Sequence, residues 1–197
     1  MSAFDLLPVV HVMEGMPESE KLKNLLHQYG FQNIVFIPRP VVGKKEHPRD
    51  YVRRFLTQVL TQEPENKIVL SYTVACGRRI LDIPSTQDEA REMLQLLSGR
   101  RHQIWICFGC KSQDKMDKIC AKTIMTRVNF KRLTTHEIEN YILSHEWKGR
   151  SGGYHSFGKA AAFIKSVNGS PTALSGLPEY EWSSFVQSAT FRYFDKS

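Results

Sequence analysis

The segment GRSGGYHSFGKA, residues 149–160, combines glycines with basic side chains, a composition that can bind phosphate. Gly153, Gly158 and Lys159 have the spacing of a phosphate-binding P-loop. Ala160, however, stands where a P-loop has the Ser or Thr that binds Mg²⁺, and no apolar strand precedes the segment. We therefore do not interpret the segment as a P-loop.

Cysteine offers a second kind of chemistry, since Cys107 and Cys110 have the spacing of half a zinc site or of a redox pair. A zinc site would need a second closely spaced pair of ligands, and a redox pair would need a strand-to-helix junction. The surrounding run QIWICFGC is continuously apolar, which is typical of a strand buried on both faces. We favour packed thiols over a metal or redox role.

The elements that would position functional groups are predicted from apolar periodicity. The central stretch reads as a strand over 68–75, a tight turn at Cys76-Gly77, a return strand over 79–81 and a helix from Ser85 that stops at Gly99. Ser85 and Asp88 have the form of a capping box, as do Thr134 and Glu137 further along. The order predicted here is strand, hairpin, helix.

Further strands and helices follow from the same patterns. Strands are predicted over 8–13, 31–37, 103–110, 119–130 and 160–167, and helices after Met16, from Pro48, from Thr134 and over 179–187. The tail after Thr190 places three aromatic residues within four positions, and we favour core closure over a partner-binding patch.

Composition is that of an ordinary globular protein, with 197 residues, 41% hydrophobic and 24% charged. We predict one domain over residues 1–197. The net charge of +7 suits an anionic partner, but the basic pairs are scattered and read mostly as solvated surface, so nucleic acid is not expected. No signal peptide or membrane span is recognised, which predicts a cytoplasmic protein with no membrane partner.

The central stretch resembles the Maf family of nucleotide pyrophosphatases. Ser71-Tyr72-Thr73 stands for the family's Ala-Asp-Thr, and residues 77–84, GRRILDIP, stand for its hairpin and Ile-Leu-x-Lys-Pro-like segment. Residues 97–102, LSGRRH, match its Leu-Ser-Gly-Arg-x-His end, and the resemblance is dense from 68 to 158. It implies an α/β fold in which a mixed sheet, flanked by helices and related to inosine triphosphatases, bends around a nucleotide cleft.

The resemblance also implies an activity, namely hydrolysis of a nucleoside triphosphate to a monophosphate and pyrophosphate with Mg²⁺ or another divalent cation. A second copy of the chain is a candidate partner. By residue-by-residue carry-over, the nucleotide-binding positions fall on Ser19, Lys21, Thr73, Arg150 and Gly153.

The groups that carry the family's chemistry are replaced. Tyr72 occupies the position of the strand Asp, and Phe157 that of a base-reading Gln. The other replaced positions are Ile37 and Pro40 for the Asp-x-x-Glu pair and Val59 and Ile83 for two lysines. A phenol, with a pKa of about 10, offers neither a base nor an anionic oxygen at neutral pH.

Asp82 is the carboxylate that could replace the acidic group missing at Tyr72. An Asp just before Ile83-Pro84 also fits a turn, and we favour that structural role. Because losing one positioned acid or base costs about 10² to 10⁴ in rate, we predict that pyrophosphatase activity is weak or lost. The alternative is a catalytically inactive protein that binds a nucleotide or a protein partner.

Overall fold

The computed structural model describes residues 8–17, 19–62, 67–111 and 118–194, with side chains described as far as residue 188. Seven strands lie within these residues: β1 Val9–Met13, β2 Ile34–Ile37, β3 Lys67–Cys76, β4 Arg79–Leu81, β5 Arg101–Lys111, β6 Ile119–Phe130 and β7 Ile164–Asn168. The helices are α1 Ser19–Gln28, α2 Pro48–Gln62, α3 Gln87–Leu97, α4 Thr135–Leu143 and α5 Glu179–Phe194. Short 3₁₀ turns cover Ser151–Gly153, Lys159–Phe163 and Pro171–Ser175.

The strands form one mixed sheet in the order β2-β1-β3-β5-β6-β7, with β4 paired to the end of β3. β1 is parallel to both β2 and β3, whereas β5, β6 and β7 run antiparallel to their neighbours. Parallel neighbours need a long crossover, which α1 supplies between β1 and β2. The predicted α/β class, a mixed sheet flanked by helices, is confirmed.

Two hydrophobic clusters use opposite faces of the sheet, and β3 contributes to both because side chains alternate along a strand. Leu70, Tyr72 and Val74 belong to the larger cluster, which also contains residues of α1, α3 and α4. Val69 belongs to the smaller cluster, which it shares with the apolar face of α2. This alternation decides which β3 side chains face a given site.

Local predictions differ from the structure at several boundaries. Strand β2 begins at Ile34 rather than at residue 31, and α5 continues beyond residue 187. The cap of α3 is Thr86, whose side chain accepts a hydrogen bond from Glu89 N, while Ser85 is itself held by the Glu89 carboxylate. The predicted strand over 160–167 is a 3₁₀ turn as far as Phe163, and only its second half pairs with β6. Among the described residues, no helix is long and apolar enough to cross a bilayer.

Candidate functional site

The parallel strands β1, β2 and β3 bring three connecting segments to one edge of the sheet. In such sheets, ligands bind outside the carboxyl ends of the strands, where the connections diverge. Here the edge is built from residues 14–17 after β1, 38–40 after β2 and the β3–β4 hairpin. Helix α1 begins at Ser19, two positions after the last residue of the first segment.

Arg39 occupies the centre of this edge. Its Nη1 donates hydrogen bonds to the carbonyl oxygens of Glu14 and Tyr72, both at 3.1 Å, and its Nη2 donates to Thr73 Oγ1 at 3.0 Å. Its Nε lies 2.5 Å from Asp82 Oδ1. The Arg39 side chain is only 5% exposed, so the guanidinium is a positive charge built into the site.

Asp82 is thereby paired with a cation. Its Oδ1 also accepts a hydrogen bond from the N–H of the next residue, Ile83, at 2.9 Å. The Asp82 side chain remains 48% exposed. The carboxylate and Thr73 are therefore brought together, with Arg39 between them.

The Tyr72 side chain faces the larger hydrophobic cluster and not Asp82. Thr73 directs its hydroxyl to Arg39, and the neighbouring side chain on the strand projects to the other face of the sheet. Tyr72 is 1% exposed and belongs to the larger hydrophobic cluster, together with Tyr154 and Val74. Burial raises the pKa of the Tyr72 phenol well above its ordinary value of 10, so the phenol stays protonated at neutral pH.

Ser19 and Lys21 lie exposed on the first turn of α1. The Lys21 Nζ sits 4.4 Å from the centre of the Phe157 ring, a cation–π contact. Phe157 is 51% exposed. The contact therefore joins the start of α1 to the glycine-rich segment 149–160 at the surface.

Arg150 donates hydrogen bonds from its guanidinium to three backbone carbonyls in two segments. Its Nε donates to the Pro17 carbonyl at 2.9 Å, and its Nη1 donates to the carbonyls of Glu146 at 2.8 Å and Lys148 at 3.1 Å. Within the described residues, its Nη2 has no hydrogen-bond partner. The residue thus holds the glycine-rich segment against the β1–α1 connection while keeping one donor group available.

The 3₁₀ turn that follows is locked onto the hairpin. The Ser151 hydroxyl donates to the Leu81 carbonyl at 2.7 Å and accepts from Val74 N at 3.2 Å. Gly152 has φ 79°, and a Cβ there would lie 2.9 Å from a Val74 methyl carbon. Gly153, a predicted nucleotide-binding residue, is buried, and a Cβ on it would lie 3.4 Å from the Pro84 ring.

Glu146 organises the remainder of the segment, and its sequence context gave no signal of this role. Its Oε2 accepts a hydrogen bond from Lys159 N at 2.7 Å and lies 3.7 Å from His155 Nδ1. The Tyr141 hydroxyl accepts from His155 N at 2.9 Å. Residues 155–159 are therefore fixed by α4 and the turn after it.

The donor groups at this edge do not fit a resident Mg²⁺ ion. Mg²⁺ sites in phosphoryl-transfer proteins usually combine one or two carboxylates with substrate phosphates and water. Asp82 is paired with Arg39, and no group of three His, Cys, Asp or Glu side chains in the described part of the chain is placed to hold a metal. Cys107 and Cys110 belong to clusters on opposite faces of the sheet, so they do not converge either.

Arg39 itself was not predicted as a site residue. Its position between Pro38 and Pro40 carried a usable signal, since a basic residue there falls inside the segment expected to hold the family's acidic pair. Asp82, in turn, lies beside Ile83, where the family's lysine is expected. The charges in these two segments are therefore opposite to those expected from the family.

Comparison with known proteins gives a consistent assignment. Residues 18–189 match the family model described as Maf-like protein. The chain is 37% identical over 178 residues to a nucleoside triphosphate pyrophosphatase of Ehrlichia chaffeensis, covering 85% of this chain and 91% of the relative. It is 37% identical over 187 residues to a dTTP/UTP pyrophosphatase of Agrobacterium fabrum, covering 88% and 89% of the two chains.

A solved structure of a nucleoside-triphosphatase, also titled dITP/XTP pyrophosphatase, from Mycobacterium abscessus is similar with a TM-score of 0.39 and 10% sequence identity. That similarity covers 92% of this chain and 94% of the other. The family match begins at residue 18 and includes the hairpin and the glycine-rich segment of the candidate site. The chain belongs to the Maf-like protein family.

Proposed function

We propose that this Maf-like chain is of the nucleoside triphosphate pyrophosphatase kind and that its pyrophosphatase turnover is weak or lost. The observation that carries the proposal is the ion pair between Arg39 and Asp82 at the carboxyl edge of the parallel strands. A divalent cation, which pyrophosphatases of this family are expected to use, would have to be held by carboxylate oxygens at this edge. Arg39 places a fixed positive charge there instead.

The reaction would transfer the nucleoside monophosphate part of a triphosphate to water, with pyrophosphate as the leaving group. Such a step depends on positioning, on neutralising charge and on a group that accepts a proton from water. Tyr72 is enclosed and protonated, and Asp82 is already paired, so neither side chain is a ready base. This supports slow or absent turnover.

Binding of the triphosphate is better supported than its hydrolysis. Lys21 and the free Nη2 group of Arg150 lie on segments joined by the Arg150–Pro17 hydrogen bond. The N-terminus of the ten-residue helix α1 lies beside them, where backbone N–H groups favour anions. Phe157 offers a ring face to a base but no hydrogen bond to its edge. The alternative function, an inactive protein that binds a nucleotide or a protein partner, rests on these groups.

Turnover is tested by pyrophosphate release from dTTP, UTP and other nucleoside triphosphates with Mg²⁺ or Mn²⁺. The Agrobacterium fabrum relative, assayed in parallel, is the reference. We expect this chain to be slower by a factor of about 10² or more, because a positioned base or acid is missing. A rate equal to the reference would show that the proposal is wrong.

A restoring variant separates slow hydrolysis from pure binding. Arg39→Ala combined with Thr73→Asp removes the fixed cation and places a carboxylate on the face of β3 that the guanidinium now contacts. Its control, Arg39→Ala with Tyr72→Asp, introduces the same charge on the opposite, core-facing side.

We expect turnover to rise only in the Thr73→Asp combination, with folding of each variant checked by circular dichroism. Calorimetric binding of a non-hydrolysable triphosphate completes the test. Binding by the native chain without turnover in any variant would favour the inactive binder. A native chain that neither binds nor hydrolyses the triphosphate would contradict both the pyrophosphatase function and nucleotide binding, and would leave a protein partner as the alternative.

We also propose that the protein is cytoplasmic and that it forms a homodimer. Fractionation of cells expressing the chain tests the first, and sedimentation equilibrium tests the second.

A further inference from the structure

The α3–β5 turn and the β6–α4 turn, about 30 residues apart in sequence, are hydrogen-bonded to each other. They lie where β5 begins and β6 ends. Gly99 N donates to the Lys131 carbonyl at 2.9 Å, and Phe130 N donates to the Arg100 carbonyl at 3.1 Å. These bonds hold the α3–β5 turn directly against the β6–α4 turn. Basic pairs that look scattered in the sequence are therefore brought together in the structure.

The result is a groove of about 900 Å³ whose charged lining residues are all basic. We call it the basic groove and define it by its four exposed cations, Arg100, Arg101, Arg132 and Lys165. No carboxylate is among the side chains that line it.

The four cations are available to a ligand. None of them has an ion pair with a carboxylate in the described part of the chain. Lys131, which also lines the groove, is different because its ammonium is bound to Glu137 at 2.5 Å, and this contact lowers the pKa of Glu137 to about 2. The groove thus concentrates uncompensated positive charge without an internal partner.

The composition of the groove identifies the chemistry that it suits. Three of the four cations are arginines, whose planar guanidinium matches the paired oxygens of a phosphate. Phe130, the aromatic residue of the lining, is 1% exposed, so no ring face is offered for stacking of bases. The lining also lacks the large exposed apolar side chains that would enter a lipid surface.

We propose that the basic groove binds the sugar–phosphate backbone of nucleic acid without sequence selectivity. The backbone presents a regular row of phosphates, and contacts to it by arginine and lysine carry no sequence information. This function is separate from the candidate nucleotide site, which lies at the segments that follow β1, β2 and β3.

The proposal has a quantitative signature in its salt dependence. Neutralising four phosphates makes the logarithm of the binding constant fall with the logarithm of salt concentration with a slope of about −3 for a single strand. Affinity in the range typical of sequence-independent contacts, a Kd of about 10⁻⁴ to 10⁻⁶ M, is expected at physiological salt.

The test is fluorescence anisotropy with a labelled single strand and a duplex of mixed sequence, measured at several salt concentrations. The test variant is Arg100→Glu with Arg132→Glu. The matched control is Arg49→Glu with Arg53→Glu, which changes the net charge equally on the exposed face of α2. Thermal unfolding verifies that both variants are folded.

We expect the groove variant to bind at least about tenfold more weakly and the control to change by less than about threefold. Undetectable binding by the native chain at low salt, or equal losses in both variants, would overturn the proposal. Displacement of the oligonucleotide by polyglutamate or by phosphatidylserine vesicles at equal charge would also overturn it, in favour of an acidic protein or a membrane surface.

Discussion

The Arg39 side chain is almost completely enclosed, and its polar neighbours are oxygen atoms. Two backbone carbonyls, the Thr73 hydroxyl and the Asp82 carboxylate surround the guanidinium. Removing a cation of this kind leaves its acceptors without a donor, which usually costs more than the contact contributes. Each Arg39→Ala variant must therefore be compared with native protein at a temperature where both are folded.

His102 is a second enclosed polar residue. Its Nε2 lies 2.8 Å from the Tyr154 hydroxyl, and its side chain is in the main core with Phe130. Burial lowers the pKa of His102 from 6.5 to about 3. Between these values the unfolded chain binds a proton that the folded chain does not, so the free energy of unfolding decreases as the pH falls. At pH 5 the loss attributable to His102 is about 2 kcal/mol.

Urea denaturation at pH 7.5 and pH 5.0 measures this effect. His102→Gln retains a hydrogen-bonding group near Tyr154 but has no charge to gain, so its stability should depend less on pH by about 2 kcal/mol. His136→Gln, an exposed substitution on α4, is the control and should keep the native pH dependence. The same pH dependence in all three proteins would contradict the role of His102.

The sequence could predict which residues share a segment, but not which face of β3 each one uses. Residues 67–75 are all buried, so there is no polar face to reveal the direction of Tyr72 or Thr73. Positions in a strand buried on both sides can be distinguished only by the elements packed on each side. The pairing of Arg39 with Asp82 could not be predicted either. It depends on where the segment after β2 meets the segment after β4.

At the scale of elements, helices with a clear apolar face were predictable. The spacing that predicted α2 from Pro48 is borne out, with Val52, Phe55 and Leu56 buried. The start of α3 was misplaced by one residue because Ser85 and Thr86 are both suitable caps, and the choice depends on which hydroxyl reaches Glu89 N. Strand β7 was predicted too long because apolar residues in a 3₁₀ turn resemble a short strand.

The capping box of α4 gives a prediction for an element. Thr134 Oγ1 accepts from Glu137 N at 3.2 Å, and the Glu137 carboxylate accepts from Thr134 N at 2.9 Å. Thr134→Ala should lower the free energy of unfolding by about 1 kcal/mol. The neighbouring Thr135 is exposed and lies inside the helix, so Thr135→Ala should change it by less than about 0.5 kcal/mol. Equal losses in the two variants, measured by urea denaturation, would show that the cap is not the cause.

At the scale of the whole molecule, the two hydrophobic clusters are not separate units. They lie on opposite faces of one sheet, and β3 and β5 supply side chains to both. Melting one cluster would expose these strands and remove the support of the other. A single domain over residues 1–197 stays a prediction, and the shared sheet is the observation that supports it in the described part of the chain.

Tryptophans report on the two clusters separately and allow this cooperativity to be tested. Trp182 is fully buried in the larger cluster, and Trp105 packs against the smaller one. Two single-tryptophan proteins are needed: Trp105→Phe with Trp147→Phe leaves Trp182, and Trp147→Phe with Trp182→Phe leaves Trp105.

In each single-tryptophan protein, we expect fluorescence and far-ultraviolet circular dichroism to give the same urea midpoint, as in two-state unfolding. Because each protein is compared with itself, loss of stability from the substitutions does not affect the test. If Trp105 fluorescence changed before the circular dichroism, α2 and the smaller cluster would open independently of the main core, and the single cooperative unit would be excluded.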